Sequence, residues 1–291
     1  MLAESRTIST EERQNAERET RRLAKSHYEN FLVASVLLPR WMRQPFYNVY
    51  AFCRTADDLA DESGSPESAL EKLSEFQIRL DQTFQGDPPD ALFVALSGTI
   101  QAYRLPKQPF DDLLDAFRQD QRKTRYANFA ELAHYCQRSA NPVGRLVLQL
   151  ADACTAENAD LSGSICTGLQ LANFWQDVAR DYRIGRVYLP ADEMERFGVK
   201  ESMLENSTAS PELKRLLASE CDRAEALFHR GLPLCDSVPS WLANDIRLFA
   251  HGGLETLAAI RRIGFDVLAK RPTVSKSRQG WLVLRAMLRM L

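Results

Sequence analysis

Tyr50-Ala51-Phe52-Cys53-Arg54-Thr55-Ala56-Asp57-Asp58-Leu59-Ala60-Asp61-Glu62 is the stretch on which the fold turns. Phe46, Val49, Tyr50, Cys53 and Ala60 recur at three- and four-residue spacing, so the segment from Pro45 to Asp61 reads as one amphipathic helix. On it Asp57 and Asp61 are i,i+4 neighbours, and Asp58 lies three residues before Asp61. Three carboxylates on one face repel one another unless a cation offsets them. A solvated acidic helix end would show the same spacing. The apolar stripe with Tyr50, Phe52 and Cys53 predicts instead a largely buried helix, whose acids call for a hard cation such as Mg²⁺, which favours oxygen ligands and phosphates.

The pattern returns 120 residues later in Gln170-Leu171-Ala172-Asn173-Phe174-Trp175-Gln176-Asp177-Val178-Ala179-Arg180-Asp181. Asn173, Asp177 and Asp181 are spaced by four and four, so they share a face, among the apolar Leu169, Leu171, Phe174, Trp175 and Val178. Two such faces opposed in a helical bundle would hold Mg²⁺ on a diphosphate and neutralise it as it leaves. Asp111-Asp112-Leu113-Leu114-Asp115 copies the spacing, but it follows Pro109 and reads as acids at a helix N-terminus. It is left out of the site.

Outward from these segments, helical periodicity covers most of the 291 residues. Helices are expected near 68–84, 91–103, 109–119, 128–137, 142–154, 158–182, 211–231, 239–264 and 279–290, punctuated by Pro106, Pro109, Pro142, Pro233 and Pro239. Gly185, Pro190 and Gly198 mark a loop. No alternating strand or hairpin signal appears, and Gly and Pro number only 13 each. The expectation is an all-α chain: a polar, loosely attached tail over 1–22 and one helical domain over 23–291.

Composition excludes several classes. A net charge of −2 gives no support for nucleic-acid binding, and no signal peptide or membrane span is read. The six cysteines form no C-x-x-C pair, so neither a zinc ribbon nor a dithiol motif is indicated, and reduced thiols in a cytoplasmic protein are expected. Charge is uneven: from Arg261 to Leu291 there are eight Lys/Arg and one acid, a balance of +7, which leaves −9 on the other 260 residues. The last eleven residues, from Trp281, place Arg285 and Arg289 on one face of an apolar helix. Peripheral contact at the inner face of a membrane and plain packing on the body are both open for it.

The quoted segments resemble the squalene/phytoene synthase family of head-to-head isoprenoid condensing enzymes, as do Gly185-Arg186-Val187-Tyr188-Leu189-Pro190 and Arg271-Pro272-Thr273-Val274-Ser275-Lys276. The resemblance implies an isoprenoid-synthase-type helical bundle around a deep apolar cavity. It implies Mg²⁺ held by Asp57, Asp58, Asp61, Asn173, Asp177 and Asp181, with Asp57, Asp61, Asp177 and Asp181 catalytic. It also implies substrate and diphosphate contacts from His27, Asn30, Phe31, Arg54 and Arg271, and Gln137, Asn173 and Gln176 are counted in the same substrate-binding set. Arg180 and Tyr188 join the diphosphate-binding set, Arg180 through its guanidinium fork and Tyr188 from the loop after the second face.

Within the family, Ser26–Phe31, Tyr135–Gly144 and Asn173–Asp177 look like the hopanoid-pathway branch. For that branch the implied reaction takes presqualene diphosphate to hydroxysqualene by ionisation, rearrangement and water capture. Its implied partners are a sister synthase acting on farnesyl diphosphate and a flavoprotein reductase. Gln137-Arg138-Ser139 stands where bifunctional members carry a tyrosine, Gln176 where many carry arginine, and Leu254 near another tyrosine position. The missing phenol speaks against the first condensation. Gln137 and Gln176 could position a water or reflect packing alone. The alternatives are a full squalene or phytoene synthase and a non-catalytic assembly factor of the same fold; retention of all five aspartates speaks against the latter.

Overall fold

The computed structural model describes residues 7–26 and 38–287. Among the described residues there are twelve α-helices, two short 3₁₀ turns and no strand. The all-helical expectation holds, and the contacts gather into two compact units, residues 1–122 with 145–154 and residues 123–144 with 155–291.

The first unit contains α1 (Thr10–Ser26), α2 (Arg40–Asp61), α3 (Pro66–Phe84), α4 (Ala91–Tyr103) and α5 (Gln108–Asp120). Helix α1 corrects the reading of 1–22 as a loose tail. It packs on α2 and α4 through Ala16, Thr20 and Ala24, all buried. Small residues at four-residue spacing leave almost no hydropathy signal, yet they let helices approach closely. The contact is pinned by the buried Asn48 of α2, whose amide is fully used. Its Oδ1 accepts from Thr20 (2.6 Å) and Gln44 (2.8 Å), and its Nδ2 donates to the Ala95 carbonyl (3.0 Å) and to Thr99 (2.9 Å).

Helix α2 starts at Arg40 and runs through Pro45, a turn earlier than the proline suggested. Pro45 lacks only the N–H that would reach the Trp41 carbonyl, and Trp41 lies at the surface, where water can serve that acceptor. The core beneath α2 is aromatic. Phe52 lies 5.1 Å from Phe76, 5.0 Å from Phe110 and 6.3 Å from Phe93, centroid to centroid, and all four rings are buried.

The second unit contains α6 (Phe129–Ser139), α8 (Ala156–Arg183), α9 (Ala191–Phe197), α10 (Pro211–Gly231), α11 (Ser240–Arg262) and α12 (Lys276–Met287), while α7 (Asn141–Leu150) leaves it after Gly144. Where a loop was expected between Pro190 and Gly198, the chain forms the short α9, opened by Pro190 and stopped by Gly198 at φ 74°. Helices α8, α10 and α11 meet at the buried ring of Phe228. A Cβ on Gly253 would sit 2.2 Å from that ring and one on Gly168 3.2 Å, so the ring cannot retreat from either side. Helix α12 packs on α11, with Leu282 buried and Arg278 paired to Glu255 at 2.7 Å, while the guanidinium of Arg285 lies 5.1 Å from the Trp281 ring centroid. The six cysteines are free thiols, three of them buried.

Asp245 on α11 is buried with neither carboxylate oxygen hydrogen-bonded, and burial alone raises its pKa to about 8. A carboxyl raised above its unfolded value stabilises the native state fully below the unfolded pKa and loses that contribution as pH rises to the folded pKa. Asp245→Asn should therefore match the parent's melting temperature near pH 4 and exceed it near pH 8; equal values at both pH would refute the buried, neutral carboxyl. Gly253→Ala should lower stability by about 1–3 kcal/mol through overpacking against Phe228, read from urea unfolding. Parental stability would show that the ring can move.

Candidate active site

In the first unit the aromatic packing of Phe52 sets the roll of α2. With Phe52, Ala56 and Ala60 buried, the helix turns Arg54, Asp57, Asp58 and Asp61 towards the surface. Arg54 holds two of the acids at once: Nη1 donates to Asp57 at 3.0 Å and Nη2 pairs with Asp58. Burial of the acids was expected, but Asp57 keeps 42% of its side-chain surface, Asp58 29%, and Asp61 is exposed. The helix is buried on its other face, and a protein cation already meets the charge. Below them, burial pushes the Cys53 thiol up to about 12, reinforced by Asp57, which keeps it neutral and unreactive. The Tyr50 phenol is also raised, chiefly by burial, with Arg54 opposing and Asp57 and Asp58 adding.

In the second unit Asn173, Asp177 and Asp181 follow one side of α8, opposite the buried Leu171, Trp175 and Val178. Arg271 grips Asp177 with both arms of its fork, Nε to one oxygen and Nη2 to the other at 2.9 Å. Both polar atoms of the Gln176 amide bond to the same tail. Its Nε2 donates to the Pro272 carbonyl at 2.6 Å and its Oε1 accepts from Arg271 at 3.2 Å. Of the two roles left open for Gln176, the structure favours packing: it is a clamp that sets Arg271.

Asp181 is the deeper acid, and burial first, then Asp177, raise its pKa to about 7 against the pull of Arg186, Arg180 and Arg271. Arg186 arrives there through the helix end. Gly185 at φ 80° lets the Arg186 N–H return to the Asp181 carbonyl at 2.8 Å and the Gly185 N–H to Tyr182 at 3.0 Å, a Schellman cap. The buried ring of Tyr188 stacks on Phe174 with centroids 3.7 Å apart and planes 8° from parallel. Asp181, Arg186, Tyr188 and Trp175 line a cavity of about 10 Å³, and the buried Trp175 Nε1 has no hydrogen-bond partner. That space suits a single water.

The remaining predicted residues are placed as follows. Arg180 and Asn173 are exposed on α8, and Gln137 is exposed on α6. His27, Asn30 and Phe31 lie outside the described residues. The excluded acids each pair with a cation: Lys107, shared with Asp81, for Asp111 (3.0 Å), Arg145 for Asp112 (2.5 Å) and Arg118 for Asp115 (2.9 Å). Of two further positioning residues, Arg186 reads from sequence, with Arg183, as a loop arginine able to cover the diphosphate or to solvate a turn, and Arg125 escapes sequence reading. Arg125 holds that loop by bonding both the Gly185 carbonyl and Glu201, across separations no local pattern reveals.

Among the described residues no three carboxylate, histidine or cysteine side chains converge as a ready-made metal cage. The donor set nevertheless fits Mg²⁺, which commonly takes one or two carboxylates and completes its octahedron with phosphate oxygens and waters. All the candidate donors are oxygens, and the adjacent arginines suit a polyanion. Asp57, Asp58 and Asp61 in the first unit, and Asn173, Asp177 and Asp181 in the second, are the residues that would hold such ions.

Residues 24–278 match the family described as squalene/phytoene synthase. The 15-cis-phytoene synthase of Synechococcus elongatus is 30% identical over 93% of this chain and 92% of its own length. Among solved structures, the squalene synthase HpnC of Alicyclobacillus acidocaldarius is 42% identical with a TM-score of 0.84, covering 89% of this chain and 97% of that one. A dehydrosqualene synthase bound to a ligand superposes at a TM-score of 0.87 with 27% identity, over 96% and 98% of the two chains.

The Arg271–Asp177 pair is half open to solvent, with side-chain exposures of 51% and 16%. Arg271→Ala should accordingly lower the urea-unfolding free energy by no more than about 1 kcal/mol. A loss above about 3 kcal/mol would identify a buried structural bridge instead.

Proposed function

The chain belongs to the squalene/phytoene synthase family, and from that premise we propose that it is an Mg²⁺-dependent hydroxysqualene synthase acting on presqualene diphosphate. The observation that carries the reading is the pair of oxygen-only acid faces, each with an arginine already in place, in a chain 42% identical to squalene synthase HpnC. Bound Mg²⁺ would neutralise diphosphate oxygens as the leaving group takes the electron pair of the broken C–O bond. Arg54 beside the first acid face, and Arg180, Arg186 and Arg271 beside the second, would each offer diphosphate oxygens further positive charge through a planar fork matched to phosphate. Engagement of the diphosphate draws Arg271 away from Asp177, and Gln176 keeps the displaced guanidinium nearby. The cation left on the hydrocarbon rearranges and is captured by water, which forms the new C–O bond and gives up a proton. With Gln176 committed to the tail, Gln137 is the amide available to orient that water; it makes no hydrogen bond among the described residues.

Peripheral contact with a membrane belongs to this reading, because substrate and product are long hydrocarbons. No helix among the described residues is long and apolar enough to cross one. The functional partners would be a synthase that makes presqualene diphosphate from farnesyl diphosphate and a flavoprotein that reduces hydroxysqualene. A second reading, head-to-head joining of two prenyl diphosphates, is favoured by the 30% identity to a 15-cis-phytoene synthase. The absence of tyrosine at Gln137-Arg138-Ser139 weighs against it.

Incubation with each diphosphate separates the two. Presqualene diphosphate should give hydroxysqualene, and farnesyl diphosphate alone should give little C30 product; efficient conversion of farnesyl diphosphate would establish the second reading. Asp57→Ala or Asp177→Ala should lower turnover by at least about 100-fold while unfolding stability stays within about 1 kcal/mol of the parent, because each acid belongs to a part-exposed pair. Near-normal turnover in either variant would remove that acid from the site.

A further inference from the structure

The C-terminal half of α1 and the first turns of α2 gather charge of one sign. Residues 20–26 and 38–47 carry five cations, Arg21, Arg22, Lys25, Arg40 and Arg43, and no carboxylate, in a chain of net charge −2. Four of the five line one pocket of about 220 Å³, together with Gln44 and Tyr47. Arg21 and Lys25 stand one turn apart on α1, and Arg40 and Arg43 one turn apart on α2. Two members are held in place. Arg21 donates to Gln44 at 2.8 and 3.1 Å, and Arg43 Nε donates to the Leu38 carbonyl at 3.0 Å. Lys25 and Arg40 are exposed.

Four like charges around so small a space repel one another, and an anion relieves that repulsion. Helix α2 adds to the field. Pro39 provides no side-chain cap and the first turn contains no acid, so the leading N–H groups face outward with partial positive charge. Guanidinium groups bind phosphate oxygens in a bidentate manner. Among the described residues the lining offers no apolar side chain apart from the Tyr47 ring, which suits a headgroup rather than an acyl chain. Next to Arg40, Trp41 is 63% exposed, more than any other large apolar side chain among the described residues. Indole favours the membrane–water interface, where its body is apolar and its N–H is wet.

We propose that this pocket is a phosphate-recognition site that seats anionic phospholipid headgroups, with Trp41 entering the interfacial layer, so that the α1–α2 face is where the protein rests on a bilayer. The proposal deepens the membrane-contact part of the proposed function. It depends on charge and exposure rather than on the reaction, so vesicle binding and product formation can fail separately.

Sedimentation of the full chain with phosphatidylcholine vesicles, with and without phosphatidylglycerol, tests it. The parent should pellet with the anionic vesicles and weaken as salt rises. Lys25→Glu with Arg40→Glu should lower partitioning at least about ten-fold, and Trp41→Ala should lower it on the same vesicles, both with parental melting temperatures. Lys25→Gln with Arg40→Gln, which removes charge without reversing it, serves if the first pair unfolds, and should also bind less. Parental partitioning of the folded charge variants, or equal pelleting with neutral vesicles, would overturn the proposal. So would loss of binding in a folded chain ending at Gly280, which would move the contact to the C-terminal helix. Calorimetry with soluble glycerol phosphate covers the other source: binding of it by a parent protein that does not pellet with the anionic vesicles would make this a site for free phosphate esters and refute the bilayer surface, whereas release from the vesicles by glycerol phosphate is the competition a shared headgroup site requires.

Discussion

A carboxylate leaves water only when a cation or a proton goes with it, and both acid faces of this protein are shaped by that requirement. On α2 the acids stay near the surface and Arg54 meets two of them. On α8 Arg271 takes Asp177, while the more deeply set Asp181 answers burial with a pKa near 7. Where no chemistry is assigned the same rule still applies. Asp111, Asp112 and Asp115 each pair with a cation, Asp111 sharing Lys107 with Asp81, and Asp245, which has none, is pushed to about 8.

What presents these faces is packing far from them in character. Phe52 locks into a four-ring cluster and so fixes the rotation of α2, which leaves Arg54 and the aspartates on the opposite side. Helix α8 is held by the close approach of Gly168 and Gly253 to Phe228, and it ends in a Schellman cap that returns Arg186 to Asp181. Rigid apolar contacts thereby place groups whose charge would otherwise resist being brought together.

The arginines link structure to chemistry. On the proposed reading, a guanidinium paired with a carboxylate would exchange onto a diphosphate, which offers it more charge and the same fork geometry, and the released carboxylate would become an oxygen ligand for a metal. Gln176 illustrates how a residue outside this exchange serves it: bound to both Pro272 and Arg271, it tethers the tail that delivers the arginine.

The sequence by itself determined the all-helical class, most helix limits and the identity of both acid faces. Those properties are local, since three- and four-residue periodicity, proline punctuation and i,i+4 spacing are written within one or two turns. The family could be recognised for the same reason, because its motifs are contiguous. Tertiary structure decided what depends on separation along the chain. Helix α1 was hidden because Ala16, Thr20 and Ala24 become an interface only against α2 and α4. The half-exposed state of Asp57, the engagement of Gln176 by Pro272 and the holding of Gly185 by Arg125 were equally out of reach. Burial and hydrogen-bond partners are set by surfaces that meet only after the chain has folded, and no pattern of neighbouring residues encodes which surfaces those will be.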